Sequence, residues 1–217
     1  MTIIDVTDIH GRSRHLDRIA AEAAQVDLLV VSGDITHFGG RAEAAAIIEP
    51  LARRARQIVA VAGNCDTEEV ELYLDEKGIN LSGRSLIVDG VCFVGLGGSL
   101  PGPMRTPHTY SEEELAALLE AAKRPPAIPL VLVAHHPPRD TRLDMAGGRL
   151  HVGSFSVRSY IERERPLLCL TGHIHESSGL DKIAGCVIVN PGPLPEGGYV
   201  RAVVEDGRPA QVAIERA

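Results

Sequence analysis

The chain has 217 residues, of which 44% are hydrophobic, and its 22 Lys and Arg against 29 Asp and Glu give a formal net charge of −7. A chain of this length buries roughly 70–75% of its unfolded surface, so we expect one domain over residues 1–217 and exclude collagen-like, coiled-coil and disordered classes. The acidic balance and the 3% aromatic content argue against a nucleic-acid partner, because nonspecific binding needs basic residues and rings that stack on bases.

The first third of the chain predicts alternating strands and helices. Short apolar, β-branched runs predict strands at residues 3–6, 28–32 and 58–62. Apolar residues recur at helical spacing over residues 16–24, and residues 42–54 are rich in alanine, with Pro50 as a kink or stop. The run Asp-Thr-Glu-Glu at residues 66–69 is typical of a capping box and predicts a third helix. Such alternation indicates a parallel sheet.

The pattern changes after about residue 83. Two apolar runs, at residues 86–88 and 91–94, flank an Asp-Gly pair and predict a hairpin. The run Ser-Glu-Glu-Glu at residues 111–114 predicts a capping box and a helix to about Leu118, with Pro125 and Pro126 ending that segment.

The rest of the chain predicts a second sheet. A Gly-rich polar stretch at residues 141–151 is expected to form a surface loop over a site, and a helix is expected near residues 154–164. Further strands are predicted at residues 129–133, 167–171, 186–190, 200–205 and 210–214. Together with the first sheet, these elements indicate a layered α/β domain.

Polar groups recur directly after the carboxyl ends of predicted strands, the edge at which open α/β sheets bind ligands. The five groups are Asp8-Ile9-His10-Gly11, Gly33-Asp34, Gly63-Asn64-Cys65-Asp66, His135-His136-Pro137-Pro138 and Gly172-His173-Ile174-His175. Each alone has an ordinary structural interpretation, since Gly, Asp and Asn form turns, Asp caps helices and His packs as a neutral side chain. Five such groups at five strand ends are improbable as accidents.

The shared feature of the five groups is ligand chemistry. Carboxylate oxygens, an amide oxygen and four imidazoles suit two divalent ions such as Mn, Fe, Zn or Ni, and suit Mg or Ca poorly. Beside two dications, Asp8 and Asp34 leave a residual positive charge that favours phosphate. Metal coordination also lowers the pKa of water to roughly 7, which provides a hydroxide nucleophile.

The ordered blocks DxHG, GD, GN(H/C)D, HHPP and GHxH, from residue 8 to residue 175, resemble those of the calcineurin-like metallophosphoesterases. The run Val-Asn-Pro-Gly at residues 189–192 is similar to the family's last loop. The resemblance implies a four-layer α/β/β/α sandwich of the metallo-dependent phosphatase type, with a dimetal centre at one edge. It also implies hydrolysis of a phosphomonoester or phosphodiester by a metal-bridging hydroxide.

The same resemblance implies a role for each matching residue. One metal would be held by Asp8, His10 and His175. The other would be held by Asn64, His135 and His173, and Asp34 would bridge the two. The amide of Asn64 would also face the substrate phosphate and take part in catalysis.

One position departs from the family pattern. Many members carry a His directly after the Asn, where it assists the leaving group as an acid, whereas this chain has Cys65. Beside two cations a thiol would tend toward thiolate and would have no proton to give. Cys65 is therefore either a small packing residue or a catalytic thiol that faces the substrate.

Residues near the blocks are weaker candidates. His37 is either a substrate-binding residue or an exposed loop histidine. His136 is expected to be structural, or to exchange roles with His135 if the register differs by one. Arg12 either contacts phosphate or lies at the surface, and residues 151–154 either close over the site or turn the chain. His15 and His108 are expected at the surface.

Localisation and partners follow from what the sequence lacks. No run approaches about 18 apolar residues, and the first residues form neither a basic leader nor a long apolar segment. Four scattered cysteines without a CxxC pair disfavour a disulfide scaffold and a structural zinc site. We therefore expect a cytoplasmic protein with no membrane association and a small-molecule phosphoester substrate. The alternative is a catalytically weak interaction scaffold on the same fold.

Overall fold

A computed structural model describes residues 1–125, 127–205 and 207–217. The strands are β1 (Thr2–Val6), β2 (Leu28–Ser32), β3 (Ile58–Val61), β4 (Ser85–Val88), β5 (Val91–Leu96), β6 (Leu130–Ala134), β7 (Met145–Ala146), β8 (Leu150–His151), β9 (Leu168–Leu170), β10 (Gly179–Ile183), β11 (Cys186–Asn190), β12 (Gly198–Glu205) and β13 (Arg208–Arg216). The helices are α1 (Leu16–Ala23), α2 (Arg41–Ala52), α3 (Glu68–Glu76), α4 (Glu112–Ala121) and α5 (Phe155–Glu164).

Two large sheets face each other. The first has the strand order β13-β12-β1-β2-β3, in which β1, β2 and β3 are parallel. The second has the order β10-β11-β9-β6-β5-β4, in which the four central strands are parallel and the edge strands β4 and β10 are antiparallel. The parallel strands of each sheet therefore end at a common edge, and this edge positions the polar groups found in the sequence.

Three apolar layers hold the sheets and helices together. Alternate strand residues point to opposite faces, so Ile4 and Leu29 pack under α1, α2 and α3, whereas Val30 and Val131 meet between the sheets. The outer face of the second sheet packs against α4 and α5, for example through Leu132. The result is an α/β/β/α sandwich, and the predicted fold class is confirmed.

Several local predictions are also confirmed. The hairpin of β4 and β5 turns at Asp89 and Gly90, whose φ angles of 46° and 78° are those that such a turn requires. A capping box begins α4, where Ser111 accepts a hydrogen bond from the Glu114 amide and the Glu114 side chain accepts one from the Ser111 amide. Pro126, part of the predicted end of that segment, lies outside the described residues.

One local prediction is wrong and two hold only in part. The capping box at residues 66–69 does not form, because α3 begins after Thr67 without a side-chain cap and the Asp66 carboxylate turns to buried amide donors instead. Pro50 lies in the last turn of α2 and does not stop the helix, which continues to Ala52. The stretch 141–151, predicted as a surface loop over a site, includes the short strands β7 and β8, which pair with each other, and its Ala146 lines a cavity.

The described residues include no helix with both the length and the apolar character needed to cross a bilayer.

Glu112 connects the two helices of the outer layer. Its carboxylate accepts hydrogen bonds from the Ser154 hydroxyl (2.7 Å) and from the amides of Phe155 (2.8 Å) and Ser156 (2.9 Å). The first amides of a helix lack partners within the helix, so Glu112 of α4 satisfies the N-terminus of α5. Burial raises the pKa of Glu112, but these donors outweigh it and lower the pKa below its ordinary value.

We predict that Glu112→Gln lowers the free energy of unfolding at pH 7 by about 1–2 kcal/mol, because an amide N–H would face backbone donors. The lowered pKa means that the ionised form stabilises the fold above the unfolded pKa, and this stabilisation is lost as the pH falls through the folded value. The difference from the parent should therefore shrink at pH 3 in urea unfolding. Glu113→Gln on the exposed face of α4 is the control, and equal effects of the two substitutions would contradict the prediction.

Candidate metal centre

The strand-end loops are joined by backbone hydrogen bonds. The amide of Asp8 donates to the Gly33 carbonyl at 3.0 Å, and the amide of His10 donates to the Asp34 carbonyl at 2.9 Å. Across the two sheets, the amide of His173 donates to the Asp8 carboxylate at 3.1 Å. The loops after β1, β2 and β9 therefore meet at one edge of the sandwich, as the parallel strands require.

The first group of donors contains Asp8, His10 and His175. The His175 Nε2 lies 3.2 Å from the Asp8 Oδ1 and 3.2 Å from the His10 Nε2, and the His10 Nε2 lies 3.9 Å from the same Asp8 oxygen. These atoms are close enough together to bind a single ion.

The second group contains Asn64, His135 and His173. The His135 Nε2 lies 3.1 Å from the Asn64 Oδ1, and the rings of His135 and His173 lie 5.2 Å apart. The Nδ1 of His135 lies 2.9 Å from the Ser32 carbonyl and donates to it. This contact orients the ring and turns the Nε2 toward the site, as is usual for histidines that bind metals.

Asp34 lies between the two groups. Its Oδ1 is 3.4 Å from the His135 Nε2, and its Oδ2 is 3.7 Å from the His10 Nε2. The backbone amide of Cys65 donates to Oδ1 at 2.8 Å and holds the carboxylate in this orientation. One carboxylate thus presents one oxygen to each donor group, which is the geometry that a bridging ligand needs.

The backbone at the site adopts uncommon conformations. Asp8, His10, Asp34 and His173 all have left-handed φ angles, of 52°, 50°, 49° and 68°. Such angles are unusual for residues with side chains and cost of order 1–3 kcal/mol each, and they cluster at functional sites. A side chain at Gly63 would collide with the amide and carboxylate of Asp34, so these conformations depend on glycine at that position.

Charge is distributed unevenly among the buried donors. Burial opposes ionisation of Asp34, but His135 and His10 outweigh it and lower the pKa of Asp34. Burial likewise opposes protonation of His135, but the carboxylates of Asp34 and Asp8 raise its pKa to about 9. Burial and the charge of His135 lower the pKa of His173 to about 4. The protein's own charges thus form a buried Asp34–His135 ion pair, and a dication at this position would replace the proton of His135.

A cavity of about 270 Å³ opens beside Asp34. The predicted candidates Arg12, His37 and Cys65 all line it. His37 is exposed, and its ring packs edge-to-face against that of His10 at 5.4 Å. The donor atoms of His37, His10 and Cys65 also lie within 4.8 Å of one another.

Only 5% of Cys65 is exposed. Its Sγ accepts a hydrogen bond from the side-chain Nδ2 of Asn64 at 3.5 Å. Burial and the charge of Asp34 raise the pKa of its thiol well above the ordinary value. The protein's own charges therefore oppose the expected thiolate, so thiolate character has to come from bound cations. In either state Cys65 is a poor proton donor, because a thiolate has no proton and a thiol of raised pKa is a weak acid.

The histidines outside the donor groups differ from one another. The expectation that His108 lies at the surface is wrong, because its side chain contacts the Tyr110 hydroxyl at 2.6 Å and only 8% of the residue is exposed. Its backbone amide donates to the Asn64 carbonyl at 3.2 Å and so supports that loop. His136 is buried, as expected, and its Nε2 donates to the Val152 carbonyl at 3.0 Å.

Asp66 has a role that its sequence pattern did not predict. One carboxylate oxygen accepts from the amides of Ile35 (3.0 Å) and Gly63 (2.8 Å), and the other from the amide (2.7 Å) and hydroxyl (2.8 Å) of Thr36. Burial and the charge of Asp34 raise the pKa of Asp66 to about 6, against the effect of these donors. Asp66 thus ties the loop that carries Asp34 to the loop that carries Asn64. Its place in the GN(H/C)D block was the available signal.

The chain belongs to the calcineurin-like phosphoesterase family, whose sequence model matches residues 1–177. It is 40% identical over 200 residues to uncharacterized protein MJ1162 of Methanocaldococcus jannaschii, covering 89% of this chain and 88% of that protein. It is 26% identical over 195 residues to UPF0046 protein K07C11.7 of Caenorhabditis elegans, covering 81% of this chain and 65% of that protein. The predicted family is therefore confirmed.

Solved structures share the fold. A crystal structure of TT1561 from Thermus thermophilus superposes with a TM-score of 0.74 at 19% identity, covering 99% of this chain and 98% of that one. A dimetal phosphatase from Danio rerio superposes with a TM-score of 0.65 at 13% identity, covering 100% and 95% of the two chains.

We predict that Asp66→Asn lowers the free energy of unfolding by about 2–3 kcal/mol, because one oxygen that accepts two hydrogen bonds becomes a donor facing donors. Urea unfolding in the presence of EDTA measures the change without contributions from bound metal. The matched control is Asp89→Asn at the exposed hairpin turn, where asparagine tolerates the positive φ. A change no larger than that of the control would contradict the prediction.

Proposed function

We propose that this chain is a dimetal phosphoesterase that hydrolyses a phosphomonoester or phosphodiester of a small molecule. The observation that carries the proposal is the Asp34 carboxylate, which presents one oxygen to each of two groups of histidine, carboxylate and amide donors. Membership of the family and the fold shared with a dimetal phosphatase support it.

The donor set fits two divalent ions of the Mn, Fe, Zn or Ni type. Asp8, His10 and His175 would hold one ion, Asn64, His135 and His173 the other, and Asp34 both. Bound there, the ions would supply positive charge for the phosphoryl oxygens and hydroxide at neutral pH. The buried ion pair of Asp34 and His135 supports this fit, because it places one proton where the ligand set would accept a cation.

The remaining residues of the site bind and position. Asn64 lines the cavity beside Asp34, and we expect its amide to hold a phosphoryl oxygen there. Arg12 and His37 line the same cavity and could contact the ester from the exposed side. All four cysteines are unpaired, which supports a reducing compartment such as the cytoplasm as the protein's location.

The alternative, an interaction scaffold without catalysis, rests on Cys65 in place of the family's histidine. Against it, the seven predicted ligands lie together at one strand edge, and four of them have left-handed φ angles that a scaffold without a metal site does not need. Binding of two metal equivalents together with turnover of 4-nitrophenyl phosphate or bis(4-nitrophenyl) phosphate separates the enzyme from the scaffold.

We predict that Asp34→Asn lowers the rate of nitrophenyl ester hydrolysis by at least a hundredfold and reduces bound metal below two equivalents. The asparagine amide has a single oxygen and no charge, so it cannot bridge two metal ions. Asparagine tolerates the positive φ of this position, so the backbone should keep its conformation. Turnover and elemental analysis measure the two effects, and circular dichroism checks the fold. The control is the exposed Asp140→Asn, also at a positive φ. Activity of Asp34→Asn within a few fold of the parent would contradict the prediction.

We predict that Cys65→His raises kcat for alkyl esters about tenfold or more and changes kcat for nitrophenyl esters much less. An imidazole can donate a proton to a poor leaving group, whereas Cys65 cannot do so efficiently, and a nitrophenolate leaves without help. The side chain lines the cavity, so the larger ring has space to enter it. Cys65→Ser, which keeps the size of the residue and adds no such acid, serves as the control. Equal effects on both classes of ester would refute this role.

A further inference from the structure

A second cavity, of about 310 Å³, lies next to the cavity of the metal centre. The two share Asn64, Met104 and His173, so a molecule held by its phosphoryl group at the metal centre can extend from one into the other. The volume lies at the lower end of the range for small-molecule sites, about 300–1,000 Å³.

The walls of this second cavity are mostly apolar. They come from the loops after β3, β5, β6 and β9, from the β7–β8 hairpin and from the segment that follows this hairpin. The apolar contributors include Leu100, Pro101, Pro103, Met104, Ala146 and Val152. Met104 is 65% exposed and lines both cavities, so an apolar side chain also stands where they join. Together with the apolar wall residues, Met104 forms a continuous apolar surface, and such surfaces include ligand-binding grooves.

The polar groups in the walls are fewer than the apolar ones, and two of them make hydrogen bonds within the protein, whereas the buried His136 Nδ1 has no partner among the described residues. The Ser99 hydroxyl donates to the Leu100 carbonyl at 2.9 Å, and the His136 Nε2 donates to the Val152 carbonyl at 3.0 Å. Among the described residues that line this cavity there is no Asp, Glu, Lys or Arg. A ligand with a second phosphate or a carboxylate would find no countercharge there, and sugar hydroxyls would lose hydrogen bonds to water.

We propose that this cavity, the apolar pocket, receives the alcohol part of the substrate, and that the substrates are phosphoesters of apolar alkyl or aryl alcohols. The inference rests on the proposed function and adds the substrate class. In the hydrolysis, the oxygen of water forms a bond to phosphorus, the bond from phosphorus to the ester oxygen breaks, and a proton from water ends on the departing alcohol. The apolar pocket binds that alcohol and does not change the chemistry.

The test uses n-alkylphosphonates, from ethyl to decyl, as competitive inhibitors of nitrophenyl ester hydrolysis by the metal-loaded protein. Their P–C bond is not hydrolysed, so the inhibition constant reports binding alone. We expect the constant to fall two- to fourfold for each added methylene, the upper value corresponding to full burial at about 0.8 kcal/mol, until the chain fills the pocket. An ω-carboxyalkylphosphonate of equal length should bind at least tenfold more weakly than the uncharged chain.

A cavity-filling variant locates the effect. Ala146→Leu should shorten the chain length at which the inhibition constant stops falling, whereas Ala42→Leu on the exposed face of α2 should leave that length unchanged. Should Ala146→Leu fail to fold, Val152→Thr, which keeps the shape and adds a hydroxyl, should weaken binding of the hexyl compound more than that of the ethyl compound.

The outcomes separate the two proposals. Turnover of nitrophenyl esters with an inhibition constant that does not depend on chain length, or with equal binding of the carboxylated chain, overturns the apolar pocket and leaves the phosphoesterase intact. A metal-loaded protein that turns over neither nitrophenyl ester overturns the proposed function, and the substrate class falls with it.

Discussion

The site depends on a single buried carboxylate that is held between two sets of donors. Asp34 reaches both sets because its loop turns through a left-handed φ and because the Cys65 amide fixes one of its oxygens. Asp66 joins this loop to the one that carries Asn64 through four hydrogen bonds. Close approach of Asp34 and Gly63 leaves no room for a side chain at that glycine. The strained backbone is therefore maintained by hydrogen bonds and packing that extend well beyond the ligands themselves.

The fold supplies the framework on which this arrangement rests. Parallel strands such as β2 and β6 are buried on both faces and pack with apolar side chains against the layer on each face. Both strands end at the same edge of the sandwich. Because neither strand has an exposed face, the first polar residues after them emerge at that edge. The outer helices also support the framework, for example where Glu112 of α4 accepts a hydrogen bond from the first residue of α5. Helix α5 begins shortly after Val152, which lines the apolar pocket.

Sequence patterns predicted much of this architecture because the relevant physics is local. The apolar runs of β1, β2 and β3, the turn at Asp89 and Gly90 and the capping box at Ser111 each depend on neighbouring residues, and each was predicted correctly. Family membership followed from ordered blocks whose spacing along the chain is characteristic. The predicted ligands lie together, whereas their roles on bound metals stay a prediction.

The features that the sequence did not predict depend on contacts between distant residues. From the sequence, the Asp66 side chain could cap a helix or accept hydrogen bonds from buried amides. The position of residues 35 and 36, whose amides donate to it, determines that it does the second. His108 has polar neighbours in sequence but is buried against Tyr110 and the Asn64 loop. The apolar pocket is assembled from segments that lie far apart along the chain, so sequence patterns predicted neither the pocket nor the substrate class proposed for it.

Anomalous diffraction from crystals grown with manganese would locate bound ions at the site. We expect two anomalous peaks a few ångströms apart, one on each side of the Asp34 carboxylate, with Asp8, His10 and His175 around the first and Asn64, His135 and His173 around the second. A single peak, or peaks that do not contact Asp34, would contradict this expectation.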